Sequence, residues 1–260
     1  MTSDEIYFKS CVSLFYIMSP VTFIALYWLI KAPYGKHYSD GWGPTMPASV
    51  AWFLFESPTL WLTIYLFPMG KHAADPKRLV LLLPFLVHYI HRTCVYPFRL
   101  HKKKTSAGVP VITVVLAFSF SILNSYIQIR EISHYKNYDN DNWFWFRIIL
   151  GLSLFLWGMR INICADLVLI GLKKGNDDYK IPRGGWFELV SCPNYFGEIV
   201  EWLGWAVMTW SPLLVCPYFI DLRQVADLYI VASERVITVL RGATETARLR
   251  DAIMSSSPDI

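Results

Sequence analysis

Residues 182–205 read PRGGWFELVSCPNYFGEIVEWLGW, a polar loop with two adjacent glycines that leads into an apolar helix. Pro193 suits the first turn of a helix, because its fixed φ matches that turn and its missing N–H is not needed there. Asn194, Glu198 and Glu201 then fall at i, i+4 and i+7, on one face of the predicted helix. Its other faces are apolar. The stretch therefore predicts a membrane helix with a single polar face.

The two acids on that face point to a function. A carboxylate at the centre of a membrane helix costs roughly 2.5–3.5 kcal/mol, so such a residue usually faces the interior of a bundle and serves a function. The alternative is a helix that begins near the lipid headgroups, with Glu198 and Glu201 still in water. The functional interpretation is favoured for both residues.

The composition indicates a membrane protein. Of the 260 residues, 54% are hydrophobic and only 17% are charged, whereas a soluble domain is about 25% charged. The formal net charge of +4 is small and falls in loops, so no nucleic-acid partner is expected. The five cysteines are scattered without a C-x-x-C spacing, which argues against a disulfide framework or a zinc site.

The fold class predicted from the hydropathy pattern is an all-α, polytopic membrane helical bundle in contact with lipid. Apolar runs near 20 residues are long enough to cross a bilayer core of about 30 Å. Six clear spans are predicted, followed by a disrupted seventh, at residues 10–30, 47–67, 79–96, 109–129, 146–163 and 194–210. The aromatic residues at 143–146 and 205–210 are interpreted as belts at the membrane interface.

The termini and loops give an orientation. The first apolar run follows acids and is long enough to span, which favours an uncleaved signal anchor. The loops after the first, third and fifth spans hold slightly more lysine and arginine, which places them in the cytosol and the N-terminus in the lumen. After Ser211 the apolar pattern fails, since residues 212–220 are too short to span as a helix.

Glu56 lies in the middle of the second span, two residues before Pro58. The proline leaves the carbonyl of Leu54 without its helical partner, so the backbone is locally open. A lone acid in this setting is expected to be protonated, and a protonated carboxyl can donate a hydrogen bond to a substrate oxygen. A structural hydrogen bond to a neighbouring helix is the equally weighted alternative.

The third span carries Tyr89, Arg92 and Tyr96 at i, i+3 and i+7, which form one stripe. The cation of Arg92 needs an anion, either a carboxylate or a ligand phosphate. His88 and His91 could bind a metal, but no matching ligand cluster accompanies them, so no metal site is predicted.

Polar faces converge near the cytosolic half of the predicted bundle. Asn162 and Asp166 are spaced i, i+4 at the predicted end of the fifth span, where ordinary capping is the alternative. Together with the stripe on the third span and the polar face of the sixth, they favour a pocket that faces the cytosol. The residues of these converging faces are Arg92, Tyr96, Asn162, Asp166, Asn194 and Glu198.

Several stretches also carry a family resemblance. They are AWFLFESP at 51–58, HYIHRT at 88–93, GMRINI at 158–163, APYGKH at 32–37, GWGP at 41–44 and the opening stretch. In this order they resemble the steroid 5α-reductases, most of all the plant enzymes of brassinosteroid synthesis, over residues 1–211. The chain is thus divided into a 5α-reductase-like membrane domain, residues 1–211, and an atypical C-terminal tail, residues 212–260.

The resemblance implies a seven-helix enzyme of the endoplasmic reticulum. NADPH would deliver a hydride to C5 of a 4-ene-3-one steroid and C4 would then be protonated; in plants the substrates would be campestenone-like sterols. Glu56 and Tyr89 match the catalytic positions that hold the C3 carbonyl oxygen, in the manner of an oxyanion hole. The positions that match the family's NADPH site are Arg92, Tyr96, Asn162, Asp166, Asn194, Glu198 and Trp202. No Gly-x-Gly-x-x-Gly occurs, so a Rossmann site is not expected.

Two departures from the family pattern leave alternatives open. Phe55 stands where animal members carry a glutamine, so contacts to the steroid should differ there. The family's last helix and its terminal segment, which closes over NADPH, are not recognisable after Ser211. The chain could therefore be an impaired variant of the reductase. From another class, a membrane methyltransferase or a transport protein could use the same polar pocket.

Overall fold

Seven α-helices carry most of the chain that the computed structural model describes, which comprises residues 2–25, 28, 41–101, 108–172 and 181–211. Short π-helical segments lie at His91–Val95 and Glu131–Tyr135, and 3-10 turns occur at Phe67–Met69 and Gly185–Glu188. Two short strands, β1 at Thr45–Met46 and β2 at Val109–Pro110, pair antiparallel. The helices are α1 Ser3–Ile24, α2 Ala48–Leu66, α3 Pro76–Ile90, α4 Tyr96–His101, α5 Val111–Arg130, α6 Phe144–Leu172 and α7 Pro193–Thr209.

Four helical stretches are long and apolar enough to cross a membrane: Ala48–Met69, Pro76–His101, Val111–Tyr135 and Phe144–Leu172. They confirm the predicted spans two to five and a helical integral membrane protein. The predicted first and sixth spans correspond to α1 and α7, which are not among these four. The count of six spans therefore stays a prediction, and the disrupted seventh lies outside the described residues, as do parts of the loops used for the orientation.

The predicted end of the fifth span is wrong. Helix α6 does not end at Ile163 but continues to Leu172. Asn162 and Asp166 therefore lie inside the helix rather than at a cap, and their exposed fractions are only 3% and 4%. Capping at the membrane surface is not the reason for these polar side chains.

Helices α6 and α7 pack with their backbones in close contact. A Cβ added to Gly158 would overlap the backbone of Glu201 and the carbonyl oxygen of Gly197, and a Cβ on Gly197 would overlap the backbone nitrogen of Asn162. Gly151 and Gly204 meet in the same way nearer the other end of the pair. Small residues allow this approach in membrane helices. The contact brings the polar face of α7 against Asn162.

The aromatic residues predicted to form interface belts differ in their burial, and the belts themselves stay a prediction. Trp143, Trp145 and Trp210 are more than half exposed, as a membrane interface belt requires. Trp205 differs, because it is fully buried and its indole N–H donates to the side-chain oxygen of Gln128 on α5 at 3.0 Å. Its role is to pack and hydrogen-bond in the core between α5 and α7.

The N-terminal end of α1 is attached to the end of α5 by a polar cluster. Asp4 accepts hydrogen bonds from the Tyr135 hydroxyl at 2.5 Å and from the Arg130 guanidinium at 2.7 Å. The hydrogen bond from Tyr135 and the neighbouring Arg130 lower the pKa of the Asp4 carboxyl, although burial acts in the opposite direction. The ring of Phe8 stacks on that of Tyr135 at 4.0 Å. These contacts hold α1 against α5, which forms one wall of the site described below.

Candidate active site

Arg92 is the centre of the polar cluster. It lies in the π-helical segment after α3, and its exposed fraction is 5%. Its guanidinium approaches three carboxylates from three other helices: Asp166 of α6 at 3.3 Å, Glu56 of α2 at 3.7 Å and Glu198 of α7 at 3.9 Å. Within the described residues the guanidinium is the cation that lies beside the three acids, so the described cluster holds more carboxyl groups than cations.

Two aromatic rings hold the guanidinium of Arg92 in place. Its Cζ lies 4.6 Å from the ring centroid of Trp52 and 4.9 Å from that of Tyr96, which are distances of cation–π contacts. The two rings touch edge to face at 5.2 Å. Because single-turn π-helical segments are frequent at functional sites, the segment at His91–Val95 fits this position.

Asn162 connects α6 to the polar face of α7. Its side-chain amide donates to the backbone carbonyl of Asn194 at 2.9 Å and lies 3.5 Å from the carboxylate of Glu198. Pro193 opens α7, as the sequence predicts, so that Asn194 sits in the first turn. The backbone contact at Gly158 and Gly197 keeps this amide next to Glu198.

A cavity of about 180 Å³ lies beside the cluster. Its walls combine aromatic and aliphatic side chains with a few polar groups, the usual pattern of small-molecule sites. Glu56 and Glu198 belong both to this cavity and to the Arg92 cluster, so the two form one continuous site. The lining residues are Phe55, Glu56, His88, Tyr89, Ala117, Phe120, Ser121, Asn124, Glu198 and Trp202.

His88, which lines the cavity, is paired with a buried acid behind the wall. Nδ1 of His88 lies 2.7 Å from a carboxylate oxygen of Glu201, and the two side chains are 3% and 0% exposed. The imidazole also packs edge to face on Trp202, with ring centroids 4.6 Å apart. Glu201 is therefore deeply buried and paired with His88. The alternative in which this acid lies in water near the start of the helix is wrong.

The predicted site residues fall into two groups in the structure. Glu56, Tyr89, Glu198 and Trp202 line the cavity. The others do not line the cavity: Tyr96 and Asp166 contact Arg92, and Asn162 contacts Glu198 and the backbone carbonyl of Asn194. Glu56 is not the lone acid expected from the sequence, because Arg92 lies beside it. Pro58 does open the backbone, and the hydroxyl of Ser57 lies 3.4 Å from the carbonyl oxygen of Leu54.

Several lining and supporting residues were not predicted. Trp52 was not singled out, and neither were the α5 residues of the cavity wall. Asn124 of α5 accepts a hydrogen bond from Gln128, which in turn binds Trp205. The sequence did carry a signal for Asn124, because it is an asparagine in an otherwise apolar span and polar groups inside membranes are usually functional. In the part of the chain that the structure describes, no three His, Cys, Asp or Glu side chains are grouped to hold a metal ion.

Four long apolar helices and an internal cavity with polar side chains in its wall define this chain as an integral membrane protein. Comparison with known proteins specifies its family. A family model described as 3-oxo-5-alpha-steroid 4-dehydrogenase matches residues 107–233.

The most similar relatives include plant and animal proteins. The chain is 54% identical over 214 residues to steroid 5-alpha-reductase DET2 of Arabidopsis thaliana, covering 80% of this chain and 81% of that protein. The DET2 protein of Gossypium hirsutum is 56% identical, with coverages of 81% and 83%. The 3-oxo-5-alpha-steroid 4-dehydrogenase 1 of Rattus norvegicus is 42% identical over 205 residues, or 76% and 77% of the two chains.

The chain therefore belongs to the steroid 5-alpha-reductase family, the 3-oxo-5-alpha-steroid 4-dehydrogenases, and its class is that of an oxidoreductase. The resemblance of the quoted motifs, including their likeness to plant members, is confirmed. The boundary predicted at residues 211/212 stays a prediction.

Proposed function

We propose that this chain uses NADPH to reduce the 4,5 double bond of 3-oxo-4-ene sterols in the endoplasmic reticulum, as a step toward brassinosteroids. The observation that carries the proposal is the shared wall of the cavity. Glu56 and Tyr89, the proposed carbonyl donors, line the same cavity as Glu198, the proposed cofactor contact. A steroid ketone and a nicotinamide ring could therefore meet there.

The carbonyl end of the substrate is assigned to Glu56 and Tyr89. The phenol of Tyr89 and a protonated Glu56 would each donate to the C3 oxygen, which gains negative charge as the hydride arrives. Donors that are already oriented in a dry site stabilise such charge strongly, and removing one oxyanion donor costs about 10²–10³ in rate. The apolar walls, Phe55, Phe120 and Trp202, suit the flat carbon skeleton of a steroid.

The residues around Arg92 fit the nicotinamide and ribose end of NADPH. A carboxamide offers an NH₂ donor and a carbonyl acceptor, which match the carboxylate of Glu198 and the amide of Asn194. Asp166 is suited to accept from a ribose hydroxyl. Nε of Arg92 is buried without a hydrogen-bond partner among the described residues, which leaves a donor for a ligand oxygen. When bound, NADPH supplies the hydride; the protein residues bind, orient and exclude water.

The phosphates of NADPH are assigned to the basic loop before α7. The described cluster carries three carboxyl groups and a single arginine. The negatively charged phosphates of NADPH would be unfavourable beside these acids. Arg183 is exposed at the start of the described part of the loop. Lys173, Lys174 and Lys180 precede it and lie outside the described residues. In this assignment the nicotinamide end of NADPH, which is uncharged, lies inside the helical bundle, and the phosphates lie near the cytosol.

The direct test uses membranes that carry the full chain, supplied with NADPH and campestenone, with the 5α-reduced product measured by mass spectrometry. The native chain should form the product, and Glu56→Gln should abolish it because the amide cannot replace the acidic donor. Glu5→Gln is the matched control, since Glu5 pairs with Lys9 on the far end of α1. Full activity of Glu56→Gln would remove the assigned donor, and no product from the native chain would remove the proposed reaction.

The impaired-variant alternative is tested by binding. The titration of NADPH into the native membrane protein is compared with a version that carries a family-type segment after Ser211. Weaker NADPH binding by the native chain would support the interpretation that it is an impaired reductase. Equal affinity would show that residues 212–260 suffice for the cofactor.

A further inference from the structure

The pair formed by His88 and Glu201 has no role in the proposed binding of the ketone or the cofactor. It is nevertheless built into the cavity wall, with Nδ1 of His88 2.7 Å from Oε1 of Glu201. The second oxygen of Glu201 is buried without a hydrogen-bond partner among the described residues. A buried carboxylate that binds only one partner is costly to hold charged unless that partner carries a proton for it. The pair is therefore suited to store one proton beyond the N–H of a neutral imidazole.

The orientation of the imidazole leaves its second nitrogen for the cavity. Nδ1 is committed to Glu201, and the ring is held edge to face between Trp202 at 4.6 Å and Tyr89 at 4.9 Å. His88 lines the cavity, so Nε2 is the nitrogen that can meet a ligand there. A carboxylate that binds one nitrogen of a histidine commonly orients the other for proton transfer.

We propose that the His88–Glu201 pair is the source of the proton that is added to C4 of the steroid. This inference rests on the proposed reduction. Tyr89 and Glu56 are assigned to the C3 oxygen, and C4 is the carbon next to C3. A donor for C4 must therefore stand beside Tyr89 on the cavity wall, and His88 is its neighbour in sequence and in space.

The proposed step balances in atoms and electrons. The hydride, which NADPH would supply as it is oxidised to NADP⁺, forms a C–H bond at C5, and the electron pair of the C4=C5 bond moves to give an enolate with its charge on the C3 oxygen. The enolate then takes a proton from Nε2–H of His88, so that a C4–H bond forms and the C3 carbonyl is restored. Nδ1–H remains bound to Glu201. A water molecule that enters the cavity returns a proton to the pair and leaves as hydroxide.

The pair lies among charged and titratable groups from several elements. Tyr89 of α3 contacts the His88 ring, and Glu56 of α2 and Glu198 of α7 line the same cavity. His91 and Arg92 of the π-helical segment follow His88 closely in the chain, and Asp166 of α6 is paired with Arg92. No titratable residue of α5 lines the cavity. Because the donor must carry its proton, kcat should fall as pH rises and the pair is deprotonated.

The test compares three variants of the full chain in membranes: His88→Gln, Glu201→Gln and, as the matched control, His91→Gln. His91 is three residues further along and contacts Arg99 rather than the cavity. Four quantities are measured for each: kcat, KM, the dependence of kcat on pH, and the affinity for a 5α-reduced 3-oxo steroid without cofactor. The last measurement reports binding apart from turnover.

We expect His88→Gln and Glu201→Gln to lower kcat by about a hundredfold, the usual contribution of a general acid. Steroid affinity should stay within about twofold, and the fall of kcat at high pH should disappear. His91→Gln should match the native chain in all four measurements. If His88→Gln does not fold, Glu201→Gln decides, since glutamine keeps the size of the side chain and removes its charge.

A kcat within about twofold of native, or an unchanged pH profile in Glu201→Gln, would overturn the proton assignment. Parallel loss of kcat and steroid affinity would also overturn it, because it would indicate a structural link between α3 and α7. A native chain that reduces no 3-oxo-4-ene steroid would instead refute the proposed function, so the two failures are distinguishable.

Discussion

The guanidinium of Arg92 lies 3.3 Å from the carboxylate of Asp166, although 74 positions separate the two residues in the chain. The contact joins the π-helical segment after α3 to the C-terminal third of α6. Through Glu56 and Glu198 the same guanidinium also reaches α2 and α7. Arg92 is thus the common neighbour of the helices that form the candidate active site.

Arg92→Lys is expected to weaken NADPH binding although it keeps the charge. A single ammonium cannot face three carboxylates and also stack on Trp52 and Tyr96. The loss of one charge-assisted hydrogen bond is worth about 1.5–3 kcal/mol, or about 10–100-fold in affinity. The measurement is a titration of NADPH fluorescence with the purified chain in nanodiscs. Arg160→Lys on the exposed face of α6 is the control, and equal affinity of both variants would contradict the role given to Arg92.

Tyr89→Phe is expected to lower kcat by about 10²–10³, because the hydroxyl would bind the C3 oxygen most strongly when charge develops on it. KM for the sterol should change much less. Steady-state kinetics over a range of sterol concentrations provide the check. Tyr65→Phe, at an exposed position of α2, should leave both constants as they are. If KM rose while kcat held, the phenol would contribute to binding alone.

Gly158→Ala is expected to destabilise the chain and to reduce its activity. The new methyl group would overlap the backbone of α7 at Gly197 and Glu201 and force α6 and α7 apart. Overpacking of this kind costs about 1–3 kcal/mol. Gly171→Ala on the same helix meets open space and should leave stability unchanged or raise it, by up to about 1 kcal/mol, because alanine favours helices. Thermal unfolding in detergent distinguishes the two; a similar Tm for both variants would refute the close packing.

Acidification is expected to loosen α1. The hydrogen bond from Tyr135 and the nearby Arg130 lower the pKa of Asp4, so its ionised form is favoured in the folded chain. A lowered pKa contributes stability above the unfolded value of 3.8, and this contribution is lost as pH falls through the folded value. The protection of the α1 amides, which is their hydrogen-exchange rate corrected for the intrinsic dependence of exchange on pH, should therefore fall as the pH drops below about 4. In Asp4→Asn the exchange should be faster already at neutral pH and show a weaker dependence on acid, and an acid response equal to that of the native chain would count against the cluster.

Part of the candidate site could be predicted from periodicity and motifs. Glu198 and Arg92 were assigned to inward faces because charge inside a bilayer is expensive, and the structure places them 3.9 Å apart. The partner of His88 could not be predicted, because Glu201 is 113 positions away and only the packing of α3 against α7 brings the two together. The extent of α6 was also missed. The polar residues Asn162 and Asp166 indicated the end of a helix by composition. In the structure the helix continues past them, and their side chains are buried beside α7 and Arg92.

The sequence by itself determined that the chain is a helical membrane protein, where its central spans lie, and which family it belongs to. These properties depend on local composition, hydropathy and the order of short motifs, which need no knowledge of contacts. The tertiary structure alone decided that Arg92 is shared by three carboxylates, that His88 binds Glu201, and that Trp205 is a core residue. The physical reason is that burial and pairing of a side chain depend on which helix faces it, and glycines such as Gly158 set that approach by allowing two backbones to touch.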